Sequence, residues 1–209
     1  MNPVGGTSRP GGRTARTRAA VLDAAMAEIA ERGYGGLSLE RVAERAGVGR
    51  ATLYRRWGGG PGLVADLLSR IGEDAVPLTE TGDLDADLRG YARALATGFA
   101  HPTIGPAFCA IVAAAAADPG GQAGTALHAF IDRADHEWGA VVDRAVARGE
   151  LPGGTVGIEV IRTVSGHVHH RIFFTRDPVD EAFADRVALI TSTAAHQGAF
   201  VRPGAAPES

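Results

Sequence analysis

Five side chains able to hydrogen-bond outward crowd one short stretch, RATLYRRW at residues 50–57: Arg50, Thr52, Tyr54, Arg55 and Arg56. Guanidinium groups donate in pairs to guanine O6 and N7, and hydroxyls reach base edges or phosphate oxygens. Wound as a helix, the stretch directs Leu53 and Trp57, four apart, to one side. Ala51, Thr52 and Arg55 point the other way, with Arg50, Tyr54 and Arg56 on the flanks. A helix that hides Leu and Trp while offering donors outward suits the DNA major groove. Arg50, Arg55 and Thr52 are the candidates for base edges. Tyr54, Arg56 and Ser38 are the candidates for phosphates, which fix register without reading sequence.

The residues before this stretch have the means to hold it. Ser38 is an N-cap candidate, and Glu40 suits the positive end of the helix it starts. Val42, Ala43 and Ala46 form an apolar stripe, Gly47 supplies a left-handed stop, and Val48 plugs the turn. Upstream, residues 14–32 read as a scaffold helix with Leu22, Ala25 and Ile29 on one face, followed by Tyr34 and Leu37 as core plugs. The pattern L-S-L-x-x-V-A-x-x-A-G-V-x-x-x-T-L-Y-x-x-W, residues 37–57, resembles the helix-turn-helix of the tetracycline-repressor (TetR) family. The resemblance implies an all-α chain of about nine helices: an N-terminal three-helix DNA-binding domain, then a helical ligand-binding and dimerisation domain. Members of that family commonly carry a Lys at the position of Gly60, where it contacts phosphate. This chain lacks it, which leaves that contact to backbone amides of the turn at 58–62 or shifts it to Arg55, Arg56 and the N-terminal arm.

Charge divides the chain in the same way. Through Trp57 there are ten arginines and five acids, a net of +5, whereas the whole chain is −3, so the remainder carries −8. A basic head on an acidic body indicates a polyanion-binding end and a body that stays off the polyanion. Residues 1–13 are Gly-, Pro- and Arg-rich and are expected to be disordered when free, as a plain tail or as a basic arm along phosphate or a minor groove. The domain boundaries expected are an arm at 1–13, the DNA-binding domain at 14–57, the helical body at 58–200 and a flexible tail at 201–209. No stretch reads as a membrane span or a secretory signal, and the single cysteine, Cys109, excludes an internal disulfide; a cytoplasmic protein is expected.

The body reads as helical throughout. Apolar residues recur at helical spacing over 63–71, 83–100, 107–117, 122–148, 155–175 and 179–199, with a connector at 73–82 and Pro/Gly breaks near Pro102 and Pro119. Val156, Val160, Val164, Val168 and Ile172 make one stripe, and Thr163, His167, His170 and Phe174 make another. In the last helix Phe183, Val187 and Ile190 are expected inward. Two helices with more than one uncharged face have surface left for a second copy, giving a four-helix bundle across a two-fold axis. Family dimers are built this way, and a palindromic operator requires one. The family also implies a ligand pocket in the body, for which Phe99, Ile104, Phe108, Phe130 and Trp138 are the candidates. His128, His136, His167, His169, His170 and His196 have no Cys cluster or Glu-x-x-His partner and read as packed or interface histidines rather than ligands, so no metal or cofactor is expected. Cys109 reads as a buried thiol. No nucleophile motif, carboxylate pair or cofactor loop supports catalysis. The most consistent function is a ligand-responsive repressor. An effector-independent structural DNA-binding protein and a helical enzyme carrying a DNA-binding head remain as rivals.

Overall fold

Leu22, Ala25 and Ile29 are fully buried along one face of α1 (Gly11–Arg32) in the computed structural model, which describes residues 11–175 and 177–203. Helix α1 begins earlier than expected: Gly11–Arg13, assigned to the arm, are helical, and Arg16 Nε donates to Gly12 O at 3.1 Å over this first turn. Residues 1–10 of the expected arm and 204–209 of the expected tail lie outside the described residues. A 3-10 turn at Tyr34–Gly36 leads to α2 (Leu39–Arg45) and α3 (Arg50–Trp57). Six more helices follow among the described residues: α4 (Gly60–Ala75), α5 (Leu84–Ala100), α6 (Ile104–Ala117), α7 (Gln122–Ala147), α8 (Gly157–His170) and α9 (Glu181–His196). The only strand-like pairing described is a single antiparallel bridge between Thr155 and Val201. That bridge, with Arg202 N–H donating to Gly154 O at 3.0 Å, fastens two residues that the sequence assigned to the tail.

Two apolar cores organise these helices. One joins α1, α2, α3 and α4 with Ala107, Phe108 and Ile111 of α6. The other joins α5, α7, α8 and α9 around Leu88, Tyr91, Trp138, Val142, Ile161 and Val164. Phe99 packs against both. Three details depart from the sequence pattern. Helix α6 starts at Ile104 rather than after Pro106, because a proline in the first helical turn forfeits no hydrogen bond; His101 Nδ1 accepts from the free amides of Thr103 and Ile104 at 3.2 and 3.3 Å. Helix α8 stops at His170 and widens into one π turn, Arg171–Thr175, which leaves Phe173 packed on the first core and Phe174 77% exposed. In α9 the inward face is Ala184, Val187, Ala188, Thr191, Ser192 and Ala195, while Ile190, expected inside, is 61% exposed beside Leu189. Small residues let α9 lie close on α5, and the two large ones are left on the far side.

Candidate nucleic-acid interface and cavity

The interface is built from the turn outward. Ser38 Oγ accepts from Arg41 N at 3.4 Å as the N-cap of α2. At the other end Gly47 (φ +65°) donates to Glu44 O at 3.1 Å and Val48 N–H donates to Ala43 O at 3.0 Å, a Schellman closure that turns the chain sharply into α3. Leu53 is fully buried, and Trp57 Nε1 donates to Asp66 Oδ2 of α4 at 2.8 Å. With these two held inside, Arg50, Ala51, Tyr54, Arg55 and Arg56 are exposed and Thr52 and Ser38 half-buried.

Ion pairs decide which of the head's arginines are at liberty to meet a polyanion. Arg18 pairs with Asp66 at 2.6 Å, Arg45 with Glu31 at 2.9 Å, and both Arg41 and Arg32 with the buried Glu28. Arg50 pairs with Glu40, the acid in the first turn of α2. Arg55 has no acidic partner among the described residues. Arg56 forms no salt bridge among them, though its charge is felt by Asp66; it donates to Thr14 O at 3.3 Å and lies over the Trp57 ring at 5.2 Å. Among the described side chains of the head, the arginines without a salt bridge are Arg55 and Arg56 on α3 and Arg16 on α1, with Arg50 held in reserve by Glu40.

Asp66 is the node that sequence reasoning missed. It accepts from Arg18 of α1 at 2.6–3.1 Å and from Trp57 of α3, so α4 is fastened to the first and third helices of the head. The Arg18 hydrogen bonds, then that of Trp57, hold its carboxyl below the usual range against the opposing effect of burial. A lone acid beside the apolar run Leu63, Val64, Leu67, Leu68 was the available signal.

The far end of α4 borders a cavity of about 800 Å³ between the two cores. Phe99, Phe108, Phe130 and Trp138 line it, with Ile71 and Gly72 from α4. Ile104 does not: one turn before Phe108 on the same side of α6, it is half-buried against the first core beyond the cavity's edge. The polar side of the cavity was not foreseen. Tyr91 is buried and hydrogen-bonded to Ser165, and burial pushes its phenol up. Arg162 Nε donates to the buried Asp135 at 2.8 Å. His169 lies among Phe99, Phe108 and Phe173 with ring centroids 5.3, 6.2 and 5.4 Å away, and burial drives its pKa down to about 4. These groups come from α5, α7 and α8 and converge only in the folded chain. The remaining histidines named from sequence are exposed, and no group of three metal-ligating side chains meets among the described residues. Among those residues no single helix is long and apolar enough to cross a membrane.

Comparison with known proteins agrees with both halves of this architecture. Residues 21–67 match the bacterial regulatory proteins of the tetR family, and residues 78–190 match the tetracyclin repressor-like C-terminal domain. The chain is 34% identical over 157 residues to the HTH-type transcriptional regulator AqdR of Rhodococcus erythropolis, covering 75% of this chain and 74% of that one. It is 26% identical over 168 residues to YdeS of Bacillus subtilis, an uncharacterized HTH-type transcriptional regulator, covering 80% and 83%. The crystal structure of the TetR family transcription regulator SCO0332 superimposes with a TM-score of 0.69 at 26% identity, over 85% of this chain and 97% of that one. A helix-turn-helix head joined to this helical body, matched along both segments, makes the chain a member of the TetR family of transcriptional regulators.

Proposed function

We propose that the chain is a homodimeric repressor that binds a palindromic operator and leaves it when a small lipophilic molecule enters the cavity. The carrying observation is the double fastening of α4: Asp66 ties it to α3 and α1, while Ile71 and Gly72, about 8–9 Å further along at 1.5 Å per residue, border the cavity. An occupant that displaces the end of α4 therefore turns α3 with it. Half-sites have fixed spacing, so a ligand that binds better to the wrong separation of the two α3 helices releases the DNA, by no more than its preference between those states. In the groove, Arg55, Arg50 and Thr52 meet base edges and the Ala51 methyl faces thymine; Tyr54, Arg56 and Ser38 hold phosphate. With Gly60 in place of a lysine, the free amides at the start of α4 are left for the neighbouring phosphate. Such a regulator acts in the cytoplasm and catalyses nothing.

Selection of preferred sequences from random duplex DNA tests this directly. The expected product is a palindrome of two half-sites. Arg55→Ala should then relax preference at one position per half-site, costing about 1–3 kcal/mol there. Uniform weakening on every sequence would assign Arg55 to phosphate, and failure of a folded dimer to enrich any sequence would sink the repressor reading.

A further inference from the structure

We propose that the cavity selects an uncharged planar aromatic molecule bearing one hydroxyl or N–H group, its ring among Phe99, Phe108 and Phe130 and its polar atom on His169 Nε2. The proposal rests on the cavity's being the effector site and names the chemistry that site accepts.

Three features of the wall lead there. The first is the aromatic lining. Phe108 stands at the centre, 4.8 Å from Phe99 and 6.1 Å from Phe130, both tilted or edge-on to it. Flat rings fill the spaces that such tilted pairs leave better than alkyl chains do. The second is His169. The ring lines the cavity, and its Nε2 is buried beneath Phe99, Phe108 and Phe173 without a hydrogen-bond partner among the described residues, so an occupant reaches it by displacing one of those rings. A buried polar nitrogen left unpaired is costly, and a ligand that supplies the missing partner recovers that cost. The imidazole remains neutral at ordinary pH, so one ring nitrogen donates and the other accepts. A hydroxyl or a ring amide, which can serve either tautomer, is the matching group.

The third feature is charge, which removes the anions. The cavity is bordered by Glu73, Asp132, Asp135 and Glu137 against Arg133 and Arg162. Arg162 is taken by Asp135 and Glu159, and Arg133 donates to Ser69 at 3.0 Å. That leaves Arg133 as one cation against Glu73, Asp132 and Glu137, so a carboxylate or phosphate entering here meets a net negative rim. Tyr91, already bonded to Ser165, offers no second strong anchor. One aromatic body and one hydrogen bond remain.

Equilibrium dialysis of the full chain with 1-naphthol, naphthalene and 1-naphthoate tests the three features together. The expected order is naphthol about tenfold tighter than naphthalene, the worth of one buried hydrogen bond, and naphthoate weakest. In His169→Phe naphthalene binding should survive and naphthol's advantage should fall below about twofold. Equal binding of naphthol and naphthalene, tightest binding of naphthoate, or an advantage that persists in His169→Phe would each overturn the proposal. Should that variant not fold, the imidazole 15N resonances of the unaltered protein decide: naphthol must shift those of one buried histidine and naphthalene must not. Operator release is scored apart from binding. Naphthol preference with DNA still held keeps the ligand chemistry and removes the effector role. Release by other compounds without naphthol preference keeps the effector role and removes the chemistry.

Discussion

Glu40 and Arg50 illustrate how single residues restrain the reading head. Arg50 stands at the start of α3, where a base-reading side chain belongs, yet in the free protein it is paired with Glu40. That carboxyl is itself held below its ordinary range, first by a backbone hydrogen bond of its own residue, then by Ser38, then by the Arg50 charge, so it stays ionised at neutral pH. Groove entry must therefore break or share an ion pair. Glu40→Gln should tighten operator binding and steepen its salt dependence by about one unit of slope, as one more cation reaches phosphate or base. An unchanged slope would mean that Arg50 never leaves α2. His169 acts at the same scale in the body. Its pKa is about 4 in the folded chain and near 6.5 in the unfolded one, so protonation favours unfolding. Full stability is present above pH 6.5 and is lost as pH falls toward 4, by about 2 kcal/mol at pH 5 from this group. Urea unfolding at pH 7 and pH 5 should show that loss, and His169→Phe should shrink it. The same loss in both proteins would place the acid sensitivity elsewhere.

At the scale of helices, what matters is how closely α4 is held at each end. Its last residue, Ala75, faces Gly98 of α5 so closely that a methyl group on Gly98 would come within 2.5 Å of the Ala75 side chain and 3.1 Å of its carbonyl oxygen. Backbone cannot yield there without moving the helix. Gly98→Ala should therefore push the end of α4 off α5, imitate an occupied cavity, and weaken operator binding with no ligand present. Gel-shift titration beside a circular-dichroism check of helix content measures this; normal affinity in a folded variant would uncouple α4 from the head. Elements were also what the sequence revealed best. Helix α3 and the Gly47 turn are local, so spacing alone placed Leu53 and Trp57 inside and Arg55 outside. The stripe Val160, Val164, Val168 was equally plain. In α9 size is a poor guide to burial: Ala184, Ala188 and Ala195 are buried, while the larger Leu189 and Ile190 are exposed. The cavity's polar side was illegible for a different reason. Tyr91, Asp135 and His169 are far apart in sequence and each resembles ordinary core or surface on its own helix. Only their convergence gives them meaning. Ile104 shows the converse: apolar and near the pocket in sequence, it lies one helical turn short of the cavity that Phe108 lines.

For the whole molecule, the question is what covers the apolar surface left at the end of the body. Phe174 is 77% exposed, Leu189 66% and Ile190 61%, against only two other large apolar side chains described as exposed, Tyr54 and Leu78. Phe174, in the π turn after α8, and Leu189 and Ile190 on α9 are apolar surface that an isolated chain has no reason to keep. His170 packs on Phe174 with ring centroids 5.4 Å apart, and His167 is exposed one turn earlier on α8. A second copy turned about a two-fold axis would set α8 and α9 against α8 and α9 and leave the two α3 helices to meet two half-sites. In the proposed dimer, linkage follows: one head engages a half-site, and its partner is then held at high effective concentration over the other. Ile190→Glu alters an exposed side chain, so each chain should fold as before. It places like charges opposite each other across the two-fold axis, and the protein should elute as a monomer in size-exclusion chromatography with light scattering. Affinity for a palindrome should fall by about two orders of magnitude, toward that for a single half-site, because the second head no longer benefits from the first. A dimer that survives this substitution with its operator affinity intact would move the interface away from α8 and α9, and the spacing of the half-sites would have to be explained by another pair of surfaces.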